Sequence, residues 1–156
     1  MKIRNVKSSD YKLIIPVLND WWNGRQMTDK LPKLFFDHFQ ETSYIVEENG
    51  EIVGFLIGFL SQTRNNEAYI HFVGIHPKYR QIGIGRKLYL TFFNKVQENG
   101  VKTVRCVTSP ENKNSIAYHT KLGFVIEKGN TIVDGIDVHS NYDGVKQNRV
   151  LFVKTL

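Results

Sequence analysis

YIHFVGIHPKYRQIGIGRKLYLTFF, residues 69–93, changes its hydrophobic period midway. Up to Pro77 its residues alternate as those of a strand do. Beyond the glycines Ile84, Leu88, Phe92 and Val96 recur every four residues with Tyr89 and Phe93 beside them, the pattern of a helix with one buried face. The segment thus reads as a strand, a glycine turn and a helix, the middle of a crossover.

Three phosphate-binding patterns compete for the turn. A P-loop needs four residues between its glycines and then Lys-Ser or Lys-Thr, which are absent. A dinucleotide fingerprint needs a third glycine three residues after Gly85, where Leu88 stands, and it follows a first strand, not one in mid-chain. Arg-x-x-Gly-x-Gly remains, carried by Arg80, Gly83 and Gly85. In it the amides of Gln81, Ile82, Gly83, Ile84, Gly85 and Arg86 converge at the positive end of a helix dipole, and the missing β-carbons let a pyrophosphate approach the backbone. Lys78, Arg80, Arg86 and Lys87 add attraction for phosphate. A strand-to-helix turn with no ligand fits the same residues.

Outward from this turn, the chain begins with a strand over 2–6. A helix follows, capped by Ser8 or Ser9, with Leu13, Ile14, Val17 and Leu18 on one side and Pro16 as a potential kink. A second helix is expected over 31–40, with Pro32 near its start. Asn49-Gly50 supplies the positive φ angles of a tight hairpin within 43–62, and Asn99-Gly100 stops the helix after the glycine loop. KTVRCVTS (102–109) reads as a strand and NKNSIAYHTKLG (112–123) as a short helix. The stretches 124–129, 130–140 and 148–156 read as strands joined by glycine-containing turns. No repeat, biased tract or linker divides the sequence, so the expectation is a single α+β domain over residues 1–156.

The 156 residues, 41% hydrophobic, suffice for one buried core, and the formal charge of +6 favours an acidic ligand. The charges form no dense Lys/Arg face and no reader motif is present, so nucleic acid is not expected as a partner, although net charge alone keeps a small basic nucleic-acid-binding domain as a rival. The lone Cys106 excludes an internal disulfide and, inside TVRCVTS, reads as a buried strand residue. The N-terminus lacks an apolar signal region, and IVGFLIGFL (52–60) is too short to span a bilayer, so a cytoplasmic protein without a membrane partner is expected.

About thirty residues after the glycine loop stands ENKNSIAYHTKLGFVIE (111–127). The pair of motifs resembles the GNAT superfamily of acetyl-CoA-dependent N-acetyltransferases, with Asn112, Ser115, Tyr118, Lys121, Leu122, Gly123 and Phe124 on the second family motif. The resemblance extends over nearly the whole chain. It implies the GNAT fold, a mixed, mostly antiparallel sheet of about seven strands with about four helices, acetyl-CoA as co-substrate and no metal. It also implies that the loop from Arg80 to Arg86 binds the CoA pyrophosphate. The backbone of Val73, Gly74 and Ile75 would pair with the pantetheine arm, and an amide near Val73 would polarise the thioester carbonyl. Gly74 falls where family members carry a β-bulge, and a plain packing glycine is the other reading. Asn112 would hydrogen-bond the pantetheine chain or cap its helix, with Ser115 and Tyr118 on the same motif.

The departure is at His119, where the family often has a tyrosine that protonates the departing thiolate. Tyr118 stands one place early, about 100° around a helix, and should not substitute. His119 is read either as the proton donor, directly or through water, or as a packing residue beside CoA. An alkylammonium needs a base before it can attack, and GNAT enzymes commonly take one from the strand before the loop. Glu67, Tyr69, His71 and Val73 share parity there, which makes Glu67 and His71 the candidates, Glu67 first. Trp22 and Arg25, beside Trp21 and Met27, and Tyr142 and Asp143, beside Arg149, are candidate acceptor residues. Core packing for the tryptophans and turn chemistry for 141–144 are the plainer readings.

The function implied is acetyl transfer from acetyl-CoA to a primary amine of a small molecule or peptide, by direct attack in a ternary complex. The alternative is a non-catalytic acyl-CoA-binding or sensing module of the same fold. The resemblance allows a homodimer, for which the sequence identifies no interface.

Overall fold

The computed structural model describes residues 1–156. Its elements are β1 (Lys2–Asn5), α1 (Tyr11–Trp21), α2 (Leu34–His38), β2 (Tyr44–Glu48), β3 (Glu51–Leu60), β4 (Glu67–Ile75), α3 (Ile84–Glu98), β5 (Thr103–Thr108), α4 (Lys113–Lys121), β6 (Val125–Ile126), β7 (Thr131–Val133), β8 (Ile136–Val138) and β9 (Val150–Thr155). Seven strands hydrogen-bond in the order β1-β2-β3-β4-β5-β9-β6, and β7 and β8 pair with each other. The chain divides into two compact units, residues 1–60 with 70–100, and residues 61–69 with 101–156. No helix is long and apolar enough to cross a membrane.

In the first unit β1 and β3 flank β2, both antiparallel to it. The β2–β3 connection is the expected hairpin, with Asn49 and Gly50 at φ 52° and 77°. Ile14, Leu18 and Trp21 of α1 join Val6, Phe36, Ile45, Phe55, Ile57 and Phe72 in one core cluster. Leu13 and Val17, expected on the buried side, are 57% and 37% exposed. The buried stripe runs through positions 14, 18 and 21, and each of the other two lies about 100° round the helix from it. Pro16 sits inside α1 without ending it. Neither Ser8 nor Ser9 caps the helix: a 3-10 turn, Ser8–Asp10, leads into it. The helix expected over 31–40 is only five residues long, because Phe39 leaves the helical region at φ −126° and a 3-10 turn, Gln40–Thr42, follows.

The start of the chain is held by charge. Asp10, 2% exposed, accepts two hydrogen bonds from the Arg4 guanidinium at 2.8 and 2.9 Å and one from the Lys7 amide at 2.7 Å. Burial by itself would raise the Asp10 carboxyl, but Arg4 and the Lys7 amide together reverse that and hold it below its ordinary value. Arg4 also pairs with Glu47 on β2. Arg4→Ala leaves a buried carboxylate without its counter-ion, a change that costs about 3 kcal/mol. The expected result is a fall of about 10 °C in Tm by thermal denaturation, given the size of the chain, and a variant melting with wild type would show the pair to be dispensable.

In the second unit the first three residues of β4 run parallel to β5, with Glu67 opposite Thr103 and Tyr69 opposite Arg105. β9 is antiparallel to both β5 and β6. Val104, Cys106, Ile116, Phe124, Val138, Val150 and Phe152 are buried. Cys106 is the inward strand residue expected, and burial pushes its thiol up, away from nucleophilic chemistry. Residues 130–140 fold as the hairpin β7–β8 over Asp134-Gly135, both at positive φ.

Candidate active site

The glycine loop belongs to the first unit. Gln81 and Gly83 both take left-handed conformations, at φ 65° and 91°. Gly83 is the N-cap of α3, and no side chain caps that helix, so its first-turn amides are left to other partners. The first turn holds no acidic residue, and Gln81, Ile82, Gly83, Arg86 and Lys87 are exposed, while Ile84 is buried and anchors the helix. A β-carbon on Gly83 would meet nothing within 4 Å. Left-handed turns, open amides and surrounding positive charge suit a bound pyrophosphate. Arg80 is not simply free for phosphate: its Nε donates to the Ile75 carbonyl at 3.1 Å and its Nη2 to the Trp21 carbonyl.

Upstream, β4 has the alternation expected, with Glu67, Tyr69, His71 and Val73 half-buried between the buried Ala68, Ile70, Phe72 and Gly74. Gly74 is a close-approach glycine: an added β-carbon would lie 2.5 Å from the Phe55 ring and 3.0 Å from Trp22. His71 is strongly placed. Its Nε2 lies 2.6 Å from the Lys30 carbonyl, and its ring stacks on Phe35 with centroids 4.2 Å apart. Since a carbonyl only accepts, Nε2 carries the proton and Nδ1 the lone pair in the neutral ring.

Glu67, in the second unit, accepts from Arg105 Nε at 2.7 Å, and Arg105 also pairs with Glu127. The hydrogen bond from Arg105 holds the Glu67 carboxyl below its ordinary value. Arg105 was not singled out from the sequence. The parallel pairing that sets it beside Glu67 joins segments more than thirty residues apart, and no local pattern encodes it.

The second motif forms α4 and its cap. Asn112 Oδ1 accepts from the Ser115 amide at 3.2 Å, so its capping role is realised. His119 is 8% exposed and stacks on Phe152 with centroids 4.8 Å apart. Its Nδ1 lies 2.7 Å from the Ser115 carbonyl and 3.2 Å from Ser115 Oγ. Burial pulls its pKa below the ordinary value, so the ring is neutral at neutral pH. Tyr118, one step round the helix, is 37% exposed, so the two rings point to different surroundings.

This burial has a measurable consequence. A histidine whose folded-state pKa lies below its unfolded value binds fewer protons when folded. Stability is therefore full above about pH 6.5 and is lost as pH falls from there through the lowered folded-state value. Between pH 7.5 and 5.5 the wild-type Tm should fall, and His119→Leu should flatten that dependence. An equal slope in the variant would place the proton elsewhere.

Of the acceptor candidates, Trp21 and Met27 are buried, Trp22 is half-buried against Phe72 at 5.0 Å, and Arg25 is exposed on the loop after α1. Tyr142 is 49% exposed, and Asp143 accepts from Arg149 Nε at 2.8 Å within a turn that has Asn141 and Gly144 at positive φ. The structure groups Trp22, His71, Val73, Gly74, Ile75 and the glycine loop in the first unit. Glu67, Asn112, Ser115, Tyr118, His119, Tyr142 and Asp143 belong to the second.

Comparison with known proteins adds four findings. The model of the acetyltransferase (GNAT) family matches residues 11–124. The chain is 34% identical over 79 residues to L-2,4-diaminobutyric acid acetyltransferase of Virgibacillus pantothenticus, a match covering 51% of this chain and half the length of that relative. Among solved structures, Naa20 of Chaetomium thermophilum in complex with a bisubstrate analogue superposes with a TM-score of 0.78 at 15% identity, covering 100% of this chain and 87% of that one. Diaminobutyrate acetyltransferase EctA of Paenibacillus lautus, in complex with L-2,4-diaminobutyric acid and coenzyme A, gives 0.73 at 21%, covering 97% and 92%. At these identities the structural likeness speaks for the fold.

Proposed function

The chain belongs to the acetyltransferase (GNAT) family, and from that premise we propose that it transfers an acetyl group from acetyl-CoA to a primary amine of a small molecule or peptide, by direct attack in a ternary complex. The observation that carries this reading is the glycine loop: two left-handed residues opening onto the uncapped, acid-free first turn of a 15-residue helix. That arrangement fits a diphosphate and has little other use for its open amides.

When bound, acetyl-CoA supplies a thioester whose leaving group, an alkyl thiolate of pKa about 8 to 9, is a weak base. In this reading the amides of Gln81 to Arg86 bind the diphosphate, Val73 to Ile75 offer backbone to the pantetheine arm, and an amide near Val73 polarises the carbonyl. Asn112, in the second unit, uses Oδ1 for its cap and keeps its amide nitrogen as a donor.

The attacking amine must lose a proton. Glu67 is a poor receiver, because its carboxylate is stabilised by Arg105. His71 suits the task better, since no cation stabilises a charge on it and its ring is fixed by the Lys30 carbonyl and the stack on Phe35, and we assign the base to it. His119, neutral and buried, is assigned a positioning role through its stack on Phe152 and its bond to Ser115. The weakly basic thiolate then takes its proton from solvent.

The same histidine favours a second reading. Where the family often has a proton-donating tyrosine, a buried neutral ring suits a module that binds acyl-CoA without turnover. Calorimetric titration with acetyl-CoA, followed by free-thiol release across a panel of amines beginning with L-2,4-diaminobutyrate, separates the two. Binding with release from one amine class supports the enzyme. Binding with no release across the panel supports the sensing module, and no binding overturns both.

A further inference from the structure

Arg80 holds two backbone carbonyls from different parts of the first unit. Nε donates to Ile75, at the end of β4, and Nη2 donates to Trp21, the last residue of α1, 59 positions away in sequence. The last turn of α1 has no basic residue of its own, so Arg80 provides the cation that its terminal carbonyls favour. The contact does not end at Trp21. The Trp21 ring meets His76 edge-on at 5.5 Å, and Trp22 packs on Phe72 and over Gly74. Beyond it, Asn19 ties the loop after α1 back to the helix: Oδ1 accepts from the Met27 amide at 2.7 Å and Nδ2 donates to Gln26 at 2.9 Å. The segment carrying Trp22 and Arg25 is thus tied to the end of α1, and the end of α1 is tied to Arg80.

Gln81, which opens the glycine loop, follows Arg80 directly. A guanidinium has five N–H donors, and the two carbonyl bonds leave others for an anion. We propose that Arg80 is a positioning residue that couples the glycine loop to the segment after α1, so that a diphosphate on the loop fixes Trp21 and Trp22 and sets the acceptor-binding conformation. This rests on the reading of the loop as a CoA site. It adds that CoA on the loop and the amine strengthen each other's binding.

Arg80→Lys separates this role from simple charge. Lysine keeps the cation for phosphate, but its single ammonium cannot reproduce the planar fork that spans two carbonyls. The protein's two tryptophans are Trp21 and Trp22, so intrinsic fluorescence reports on the coupled segment without any need for turnover. With CoA as the probe, wild type should show a saturable change in tryptophan emission. With each protein brought to CoA saturation by calorimetric titration, the variant should lose most of the emission change. Against an amine that wild type acetylates, its KM for that amine should rise about tenfold, within the usual range of coupling between sites. An emission change equal to that of wild type would overturn the coupling while leaving the CoA site intact. Loss of CoA affinity with a normal emission change at saturation would overturn it as well, making Arg80 a phosphate ligand only. Absence of CoA binding to wild type would remove both the site and the coupling.

Discussion

Gly83→Asp is expected to weaken CoA binding by at least about 100-fold while the protein remains folded. Gly83 is left-handed at φ 91°, a conformation that aspartate adopts more readily than most residues, at a cost near 1 kcal/mol. A β-carbon there meets nothing within 4 Å, so the fold has room for the side chain. The new carboxylate stands at the head of α3, among the amides assigned to the diphosphate. Two like charges 4 Å apart repel by several kcal/mol at an effective dielectric near 20, which is enough for the stated loss. Gly83→Asn carries nearly the same backbone strain and bulk without the charge, so it should lose markedly less. Calorimetry gives the affinities, and circular dichroism with Tm shows whether each variant is folded. A folded Gly83→Asp that binds CoA as wild type does would make the loop a turn and nothing more.

The readability of the loop from sequence has a local cause. The change from a two-residue to a four-residue hydrophobic period and the two glycines lie within one short stretch, and the backbone there follows from its own residues. The hairpin at Asn49-Gly50 and the Asn112 cap were legible for the same reason. Leu13 and Val17 were misplaced because a helix of three turns with apolar residues on several sides admits two stripes, and tertiary packing selects one. Less legible still was whatever depends on distant segments. Glu67 has the right parity for a base, and only the pairing of β4 with β5 reveals the Arg105 guanidinium that makes it a poor one. Arg80 looked like one more phosphate cation, and its bonds to Ile75 and Trp21 could not be inferred from spacing. The tautomer of His71 depends on the Lys30 carbonyl, 41 positions away. Propensity and pattern therefore recover most of the elements and the loop, while the hydrogen-bonding state of Glu67 and His71 is fixed by partners remote in sequence.

His71→Gln is expected to lower kcat by about 100-fold, the contribution typical of a general base, with acetyl-CoA affinity unchanged. Glutamine is chosen because its side-chain amide can still donate to the Lys30 carbonyl. The contact at 2.6 Å that holds this position to the segment after α1 therefore has a replacement. What is removed is the Nδ1 lone pair. Raising the pH should partly rescue the variant, since more of the amine, whose own pKa is near 10, then arrives deprotonated. The matching substitution Glu67→Gln should leave kcat within about threefold. It breaks the ion pair with Arg105, which lies at a partly exposed site where such pairs contribute little to stability. The two variants together assign the proton. If Glu67→Gln abolishes turnover while His71→Gln retains it, the carboxylate is the base despite its stabilisation by Arg105, acting through a water that the lowered pKa still allows it to orient. If both retain full activity at neutral pH, the amine reaches the site already deprotonated, and neither side chain takes its proton.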